Sequence, residues 1–131
     1  MCCREAVKRM AYQHGGSGGS IVNLSSRAAV LGSAHEYIDY AASKGAIDSF
    51  TVGLAQEVAK QGIRVNAVRP GIIDTEMHAD GGEVNRIHRL KAMIPLQRYG
   101  TVDDVAKAIY WLTSKDSSYS TGTFIDVSGG R

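Results

Sequence analysis

Tyr40 and Lys44 stand four residues apart in Tyr40-Ala41-Ala42-Ser43-Lys44. On a helix that spacing puts both side chains on one face. An ammonium beside a phenol stabilises the phenolate, and a phenol so placed can pass a proton to or from an alcohol or carbonyl oxygen. The pair by itself decides little. Six tyrosines and as many lysines in 131 residues yield ~0.3 such pairs by chance, and a solvent-facing Tyr and Lys on a first helical turn is the plain alternative. Two other segments add weight. Ile21-Val22-Asn23-Leu24 runs into Ser25-Ser26, so a hydroxyl closes one apolar segment shortly before Tyr40. A second apolar segment ends in Arg69-Pro70-Gly71-Ile72-Ile73-Asp74-Thr75. The C-terminal ends of parallel strands line the ligand crevice of an open α/β sheet. If both segments are such strands, three sets of polar groups meet at one edge.

The elements that must position these residues follow from periodicity. Residues 2–13 place Ala6, Val7, Met10 and Ala11 at helical spacing, with Arg4, Lys8 and Arg9 opposite. The run His14–Ser20 contains four glycines, breaks that helix and predicts a mobile turn. It is not a phosphate-binding GxGxxG, because Ile21 occupies the third glycine position. Residues 20–25 predict a strand. Ala46, Ile47, Phe50, Leu54, Val58 and Ala59 recur at steps of three and four, which predicts a helix over 40–60 closed by Gly62. Residues 63–68 predict a second strand, stopped at Pro70, which lacks a ladder donor. A loop with one short helix around 83–92 follows. Thr101 and Asp104 have the spacing of a capping box for a last helix, whose buried face is Val105, Ala108, Ile109 and Leu112. Residues 122–127 predict the final strand. Strands separated by helices, with connections too long for hairpins, imply a parallel sheet in a single α/β unit over 1–131.

Composition narrows the partners. Fifteen basic and 13 acidic side chains give a net charge of +2, and no Lys/Arg block tracks a phosphate backbone, so nucleic acid is not an expected partner. No apolar run reaches a membrane span. Cys2 and Cys3 are neighbours and the only cysteines. They predict neither a disulfide framework nor a metal site, and they fit a reducing cytoplasm. As small apolar groups both are expected to be buried. His14, His35, His78 and His88 have no ligand spacing, so no metal is expected. Arg86, His88, Arg89 and Lys91 read as a solvated helix face.

Taken together, IVNLSS, YAASKGA, GIRVNAVRPG, PGIIDT and TGTFIDVSGG resemble the C-terminal half of the short-chain dehydrogenase/reductases. The likeness is strongest to bacterial glucose-dehydrogenase-like members. It covers essentially the whole chain, with five motifs in the family's order and spacing. The resemblance implies a partial Rossmann-type, doubly wound parallel sheet and an oxidoreductase using NAD or NADP on a small alcohol/carbonyl substrate. By the same resemblance Tyr40 is the catalytic acid/base. Lys44 binds the nicotinamide ribose hydroxyls and favours the Tyr40 phenolate, and Ser26, in preference to its neighbour Ser25, holds the substrate oxygen. Pro70 and Gly71 pass beside the nicotinamide, with Ile73 and Thr75 near its carboxamide or phosphate. A homo-oligomer, dimer or tetramer, is implied for the full-length parent.

Two features depart from the family pattern. The glycine-rich turn that cradles the pyrophosphate belongs to a first βαβαβ half that residues 1–20 cannot hold. The asparagine that family members often use would fall upstream of Met1, and Asn23 lies on the wrong element to replace it. Met1 is therefore expected to be a truncated or misassigned start. The alternative is a catalytically inactive fragment that acts only as an oligomerisation or interaction module.

Overall fold

The structure, a computed structural model, describes residues 2–75 and 91–131. The short helix expected around 83–92, with His78, Arg86, His88 and Arg89, lies almost wholly outside them. In chain order the elements are helix α1 (Cys2–Met10), strand β1 (Gly19–Leu24), a short helix α2 (Ala28–Leu31), the long helix α3 (Ile38–Val58), strand β2 (Ile63–Pro70), helix α4 (Val102–Thr113) and strand β3 (Phe124–Val127). The sheet order is β1-β2-β3. Both pairings are parallel, with Gly19 opposite Ile63 and Ala67 opposite Phe124. The parallel sheet expected from the sequence is thus observed. The last strand starts at Phe124 rather than 122, because Gly122 has φ +70° and turns the chain into it.

Side-chain alternation sorts the helices onto two faces. Ile21, Ile63 and Val65 pack with Ala11, Ala55 and Val58, and Val7, Met10 and Leu54 close around them, so α1 and α3 share one face. Asn23 Nδ2 donates to Thr51 Oγ1 at 2.9 Å, and that hydroxyl donates to the Ile47 carbonyl at 2.8 Å. The intervening residues turn to α4. Ser20 Oγ donates to the Leu112 carbonyl at 3.0 Å, and Arg64 reaches the carbonyls of Ser114 and Ser120 at 3.1 and 3.2 Å. Asn66, fully buried, donates to the Ser120 carbonyl at 2.9 Å and accepts from the Thr123 amide at 3.1 Å. This latches β2 to the segment that enters β3. The result is three layers around a mostly apolar centre.

Local chemistry sets the helix ends. α3 starts two residues before Tyr40, with Asp39 in its first turn where a negative charge complements the helix dipole. It passes through a single 3₁₀ turn at Ala59–Gln61 and stops at Gly62, whose φ of +73° supplies the left-handed cap. The expected capping box on α4 is present. Asp104 N donates to Thr101 Oγ1 at 3.1 Å, and Thr101 N donates to Asp104 Oδ2 at 2.8 Å.

Two expectations are corrected. The glycine run is tightly packed rather than a free turn. Gly18 N donates to the Met10 carbonyl at 2.8 Å and Gly19 N to the Gly62 carbonyl at 3.0 Å. A β-carbon on Gly16 would overlap the Met10 carbonyl group, so close backbone approach explains the glycine there. The cysteines are not buried either. Cys2 is exposed and Cys3 half-buried, because the buried stripe of α1 runs through Val7 and Met10 instead.

Asn66→Ala removes the side-chain acceptor of the Thr123 amide and one of two donors to the Ser120 carbonyl, which Arg64 still reaches. We expect a loss of roughly 2–3 kcal/mol in urea titrations, with Asn66→Asp also destabilising because it cannot donate. The Arg98 guanidinium, followed by the Thr101 amide and hydroxyl, holds the Asp104 carboxyl well below the usual carboxylate range. Its contribution is complete above the unfolded-state pKa of about 3.9 and is lost as the pH falls through the lower folded value. Acid titration of the melting temperature should therefore lose a component in Thr101→Ala and Asp104→Asn variants.

Candidate active site

The ladder between β1 and β2 continues past the end of β1. Ser25 N donates to the Val68 carbonyl at 2.9 Å and Arg27 N to the Pro70 carbonyl at 3.0 Å. Ser25 and Ser26 are thereby held along the last residues of β2, with Ser26 next to the Arg27–Pro70 bond. The two hydroxyls divide their work. Ser25 is buried and its Oγ donates to the Lys44 carbonyl at 3.3 Å, which ties β1 to α3. Ser26 is half-buried, and its Oγ accepts from the Ala28 amide at 3.1 Å at the start of α2. That hydroxyl keeps its proton for a further acceptor.

Lys44 reaches back to the same strand end. Its Nζ donates to the Leu24 carbonyl at 2.9 Å and lies 5.6 Å from the centre of the Tyr40 ring. That distance is within the range where a cation is attracted to an aromatic face. The Leu24 bond uses one of three ammonium donors, which leaves donors for a ligand. Tyr40 itself is 45% exposed on the first turn of α3. The structure thus brings Leu24, Ser25, Lys44 and Tyr40 to one edge of the sheet.

The segment after β2 is set by backbone contacts. Gly71 N donates to the Val127 carbonyl at 2.9 Å, and a β-carbon on Gly71 would sit 2.8 Å from the Ser128 α-carbon. Only glycine allows that approach without a shift. Ile73 is buried and bridges Gly100 in parallel sense, and Asp74 N donates to the Gly100 carbonyl at 2.8 Å. Ile73 and Asp74 are therefore tied to Gly100, while Pro70 and Gly71 stay beside the strand ends. Among the described residues no group of three or more His, Cys, Asp or Glu could hold a metal.

An ionic chain at this edge escaped the sequence reading. Asp48 accepts from Arg69 Nε at 3.0 Å and Nη2 at 2.9 Å. Arg69 lies 3.8 Å above the Phe124 ring and 3.8 Å from Asp126. Asp126 in turn accepts from Arg27 Nη1 at 2.7 Å, and Arg27 Nε donates to the Arg131 carbonyl at 2.6 Å. The available signal was Asp48 itself, four residues after Lys44 and so on the same helical face.

A parallel sheet covered on both faces, with polar groups gathered where its strands end, is a Rossmann-type α/β unit. The chain belongs to the short-chain dehydrogenase/reductase family. A family model described as enoyl-(acyl carrier protein) reductase matches residues 1–131. The uncharacterized oxidoreductase YgfF of Escherichia coli is 65% identical over all of this chain and 53% of its own length. A glucose and ribitol dehydrogenase homolog of rice is 39% identical over 97% of this chain and 43% of its own. Among solved structures, a 3-oxoacyl-[acyl-carrier protein] reductase from Brucella melitensis superposes with TM-score 0.80 at 43% identity. It covers 86% of this chain, and the match takes in 41% of that one. A putative 2-deoxy-D-gluconate 3-dehydrogenase from Agrobacterium tumefaciens, solved with bound NADP, gives 0.79 at 32% identity over 86% and 46%. The chain spans about half the length of the relatives it matches.

The two serines should separate in a stability assay and a ligand assay. Ser25→Ala removes a hydrogen bond between β1 and α3 and should cost about 1 kcal/mol. Ser25→Thr, which forces an extra methyl into a buried site, should cost at least as much. Measured by denaturant titration, equal stability of Ser25→Ala and the parent would show that the Lys44 carbonyl does not need this donor.

Proposed function

We propose that this chain supplies the catalytic half of an NAD(P)(H)-dependent oxidoreductase that interconverts a small alcohol and the corresponding carbonyl. One observation carries the reading: the Lys44 ammonium is held 2.9 Å from the Leu24 carbonyl and 5.6 Å from the Tyr40 ring, at the strand end that also bears Ser26. The residues suit a nicotinamide nucleotide. Lys44 has donors left for ribose hydroxyls, and Gly71 lets the turn after β2 lie tight against Ser128. Solved relatives with NADP and with NADPH support the same cofactor class. The bound nucleotide would donate or accept the hydride.

The protein's part is placement and proton transfer. In the reducing direction the Tyr40 phenol gives its proton to the carbonyl oxygen; in the oxidising direction the phenolate takes it back. Lys44 stabilises the phenolate and orients the ribose. Ser26 Oγ donates to the substrate oxygen and polarises it. Pro70 and Gly71 would pass beside a bound nicotinamide, with Ile73 and Thr75 as the residues that would hold its carboxamide or phosphate. We assign the enzyme to the reducing cytoplasm, where Cys2 and Cys3 persist as thiols. Among the described residues no helix is long and apolar enough to cross a membrane. Exposed Phe50, Tyr110 and Trp111 on α3 and α4 support a homo-oligomer of the full-length parent.

Residues 1–131 alone are expected to be inactive. β1 stands at the edge of the sheet with its outer side unpaired among the described residues, and the chain carries no glycine-rich turn for a pyrophosphate. The test is a chimera in which residues 1–131 follow the front half of the E. coli relative, assayed by nicotinamide absorbance against simple alcohols with NAD and NADP and against aldehydes and ketones with the reduced forms. The chimera should turn over and the isolated chain should not. Tyr40→Phe should cut kcat by about 100-fold or more, Lys44→Ala should raise the cofactor KM as well, and Ser26→Ala should lower kcat with little change in stability. Undiminished turnover in Tyr40→Phe would overturn the proposal.

A further inference from the structure

Asp48 and Arg69 are not needed for any of the proton or hydride steps above, yet they form the most enclosed ion pair described. The side chains are 14% and 17% exposed, and one carboxylate oxygen, Oδ2, takes both guanidinium contacts at 2.9 and 3.0 Å. The other oxygen, Oδ1, is buried with no hydrogen-bond partner. Enclosed ion pairs lose hydration, and breaking one side leaves a charge uncompensated. A carboxylate kept under those conditions is a poor choice for stability alone, since an apolar residue of similar size often does as well.

The location is informative. Asp48 lies one helical turn after Lys44 on the same face of α3, and Arg69 immediately precedes Pro70-Gly71 at the end of β2. Arg69 also stacks on Phe124 and reaches Asp126, which Arg27 holds from just beyond Ser26. Each element that carries a group of the proposed site is thus joined through two cations and two anions. The Leu24–Lys44 hydrogen bond fixes the upper turn of α3 to β1, and the Arg69–Asp48 pair fixes the next turn to β2.

We propose that Asp48 and Arg69 are positioning residues, which lock α3 against the end of β2 and so set the distance from Tyr40 and Lys44 to the Pro70-Gly71 turn. The inference rests on the oxidoreductase reading and adds to it. Beside the pair, Asp126 from β3 lies 3.8 Å from Arg69, and Arg27 from beyond β1 holds Asp126 at 2.7 Å.

The experiment is steady-state kinetics of alcohol oxidation in the chimera, with melting temperatures alongside, for Asp48→Asn, Arg69→Met, Arg69→Lys and the double variant Asp48→Asn/Arg69→Met. Misplacement of about an ångström costs up to about 100-fold in rate, so each single variant should lose about 10- to 100-fold in kcat with the cofactor KM little changed. The double variant should lose little more kcat than the worse single variant, because both single changes break the same contact. Arg69→Lys, which keeps the charge without the fork, should recover part of kcat. A purely structural role would lower thermal stability in both single variants and leave kcat of the folded enzyme, and its recovery in Arg69→Lys, unchanged. Unchanged kcat in the single variants, or fully additive losses in the double variant, would overturn the inference while Tyr40→Phe still reports on the reading beneath it.

Discussion

Parallel pairing of β1 with β2 obliges the chain to return the full length of the sheet between them, and α3 makes that return. A hairpin cannot join parallel neighbours; a crossover of a dozen residues or more is required. A crossover that leaves from the C-terminal end of one strand must begin at that end. α3 therefore starts beside Leu24 and Ser25, and Tyr40 and Lys44 sit on its first two turns. No separate device is needed to bring the phenol and the ammonium to the strand ends. The same constraint puts Pro70-Gly71 on that edge, because β2 runs in the direction of β1.

Much of this was legible in the sequence. The period of three and four from Ala46 to Ala59 marked α3, and Gly62 marked its end, because left-handed caps favour glycine. The Thr101–Asp104 pair marked the start of α4. The YAASK spacing identified one face, and the strand before it supplied the hydroxyls. Other features were hidden because they arise from contacts between residues far apart in sequence. Asp48 meets Arg69 across 21 positions, and Arg27 meets Asp126 across 99. No local pattern joins them. The glycine run looked like a free turn because glycine permits both flexibility and close approach, and only packing against Met10 and Gly62 shows which applies. Ser25 and Ser26 could not be separated by residue type; alternation along β1 turns the first toward α3 and leaves the second at the start of α2.

Polar groups inside the layers are matched with care. Thr51, Asn66 and Ser117 are almost fully buried, and each hydroxyl or amide has a partner. Asp48 Oδ1 is the one buried side-chain oxygen among the described residues without one. Unmatched buried acceptors are uncommon in native proteins. This one falls beside the candidate site rather than in the distant core around Val58 and Ile63. The other buried polar side chains described have partners, and the exception lies where α3 meets β2.

The Asn66 latch also bears on the order in which the molecule can assemble. Its amide links β2 to backbone groups 54 and 57 positions away, across α4 and the loop that follows it. Contacts this distant close long loops, and loop closure is an entropic barrier met before the contact returns anything. α3 and the β1–β2 pair can form earlier, from a shorter stretch of chain. Asn66 can find its partners only once α4 has docked and the approach to β3 is in place. Until then a fully polar side chain waits on the inner surface of a half-built sheet and keeps water there. The final exclusion of solvent from that face is thus deferred to the last strand, and secondary structure should be in place well before the interior is dry.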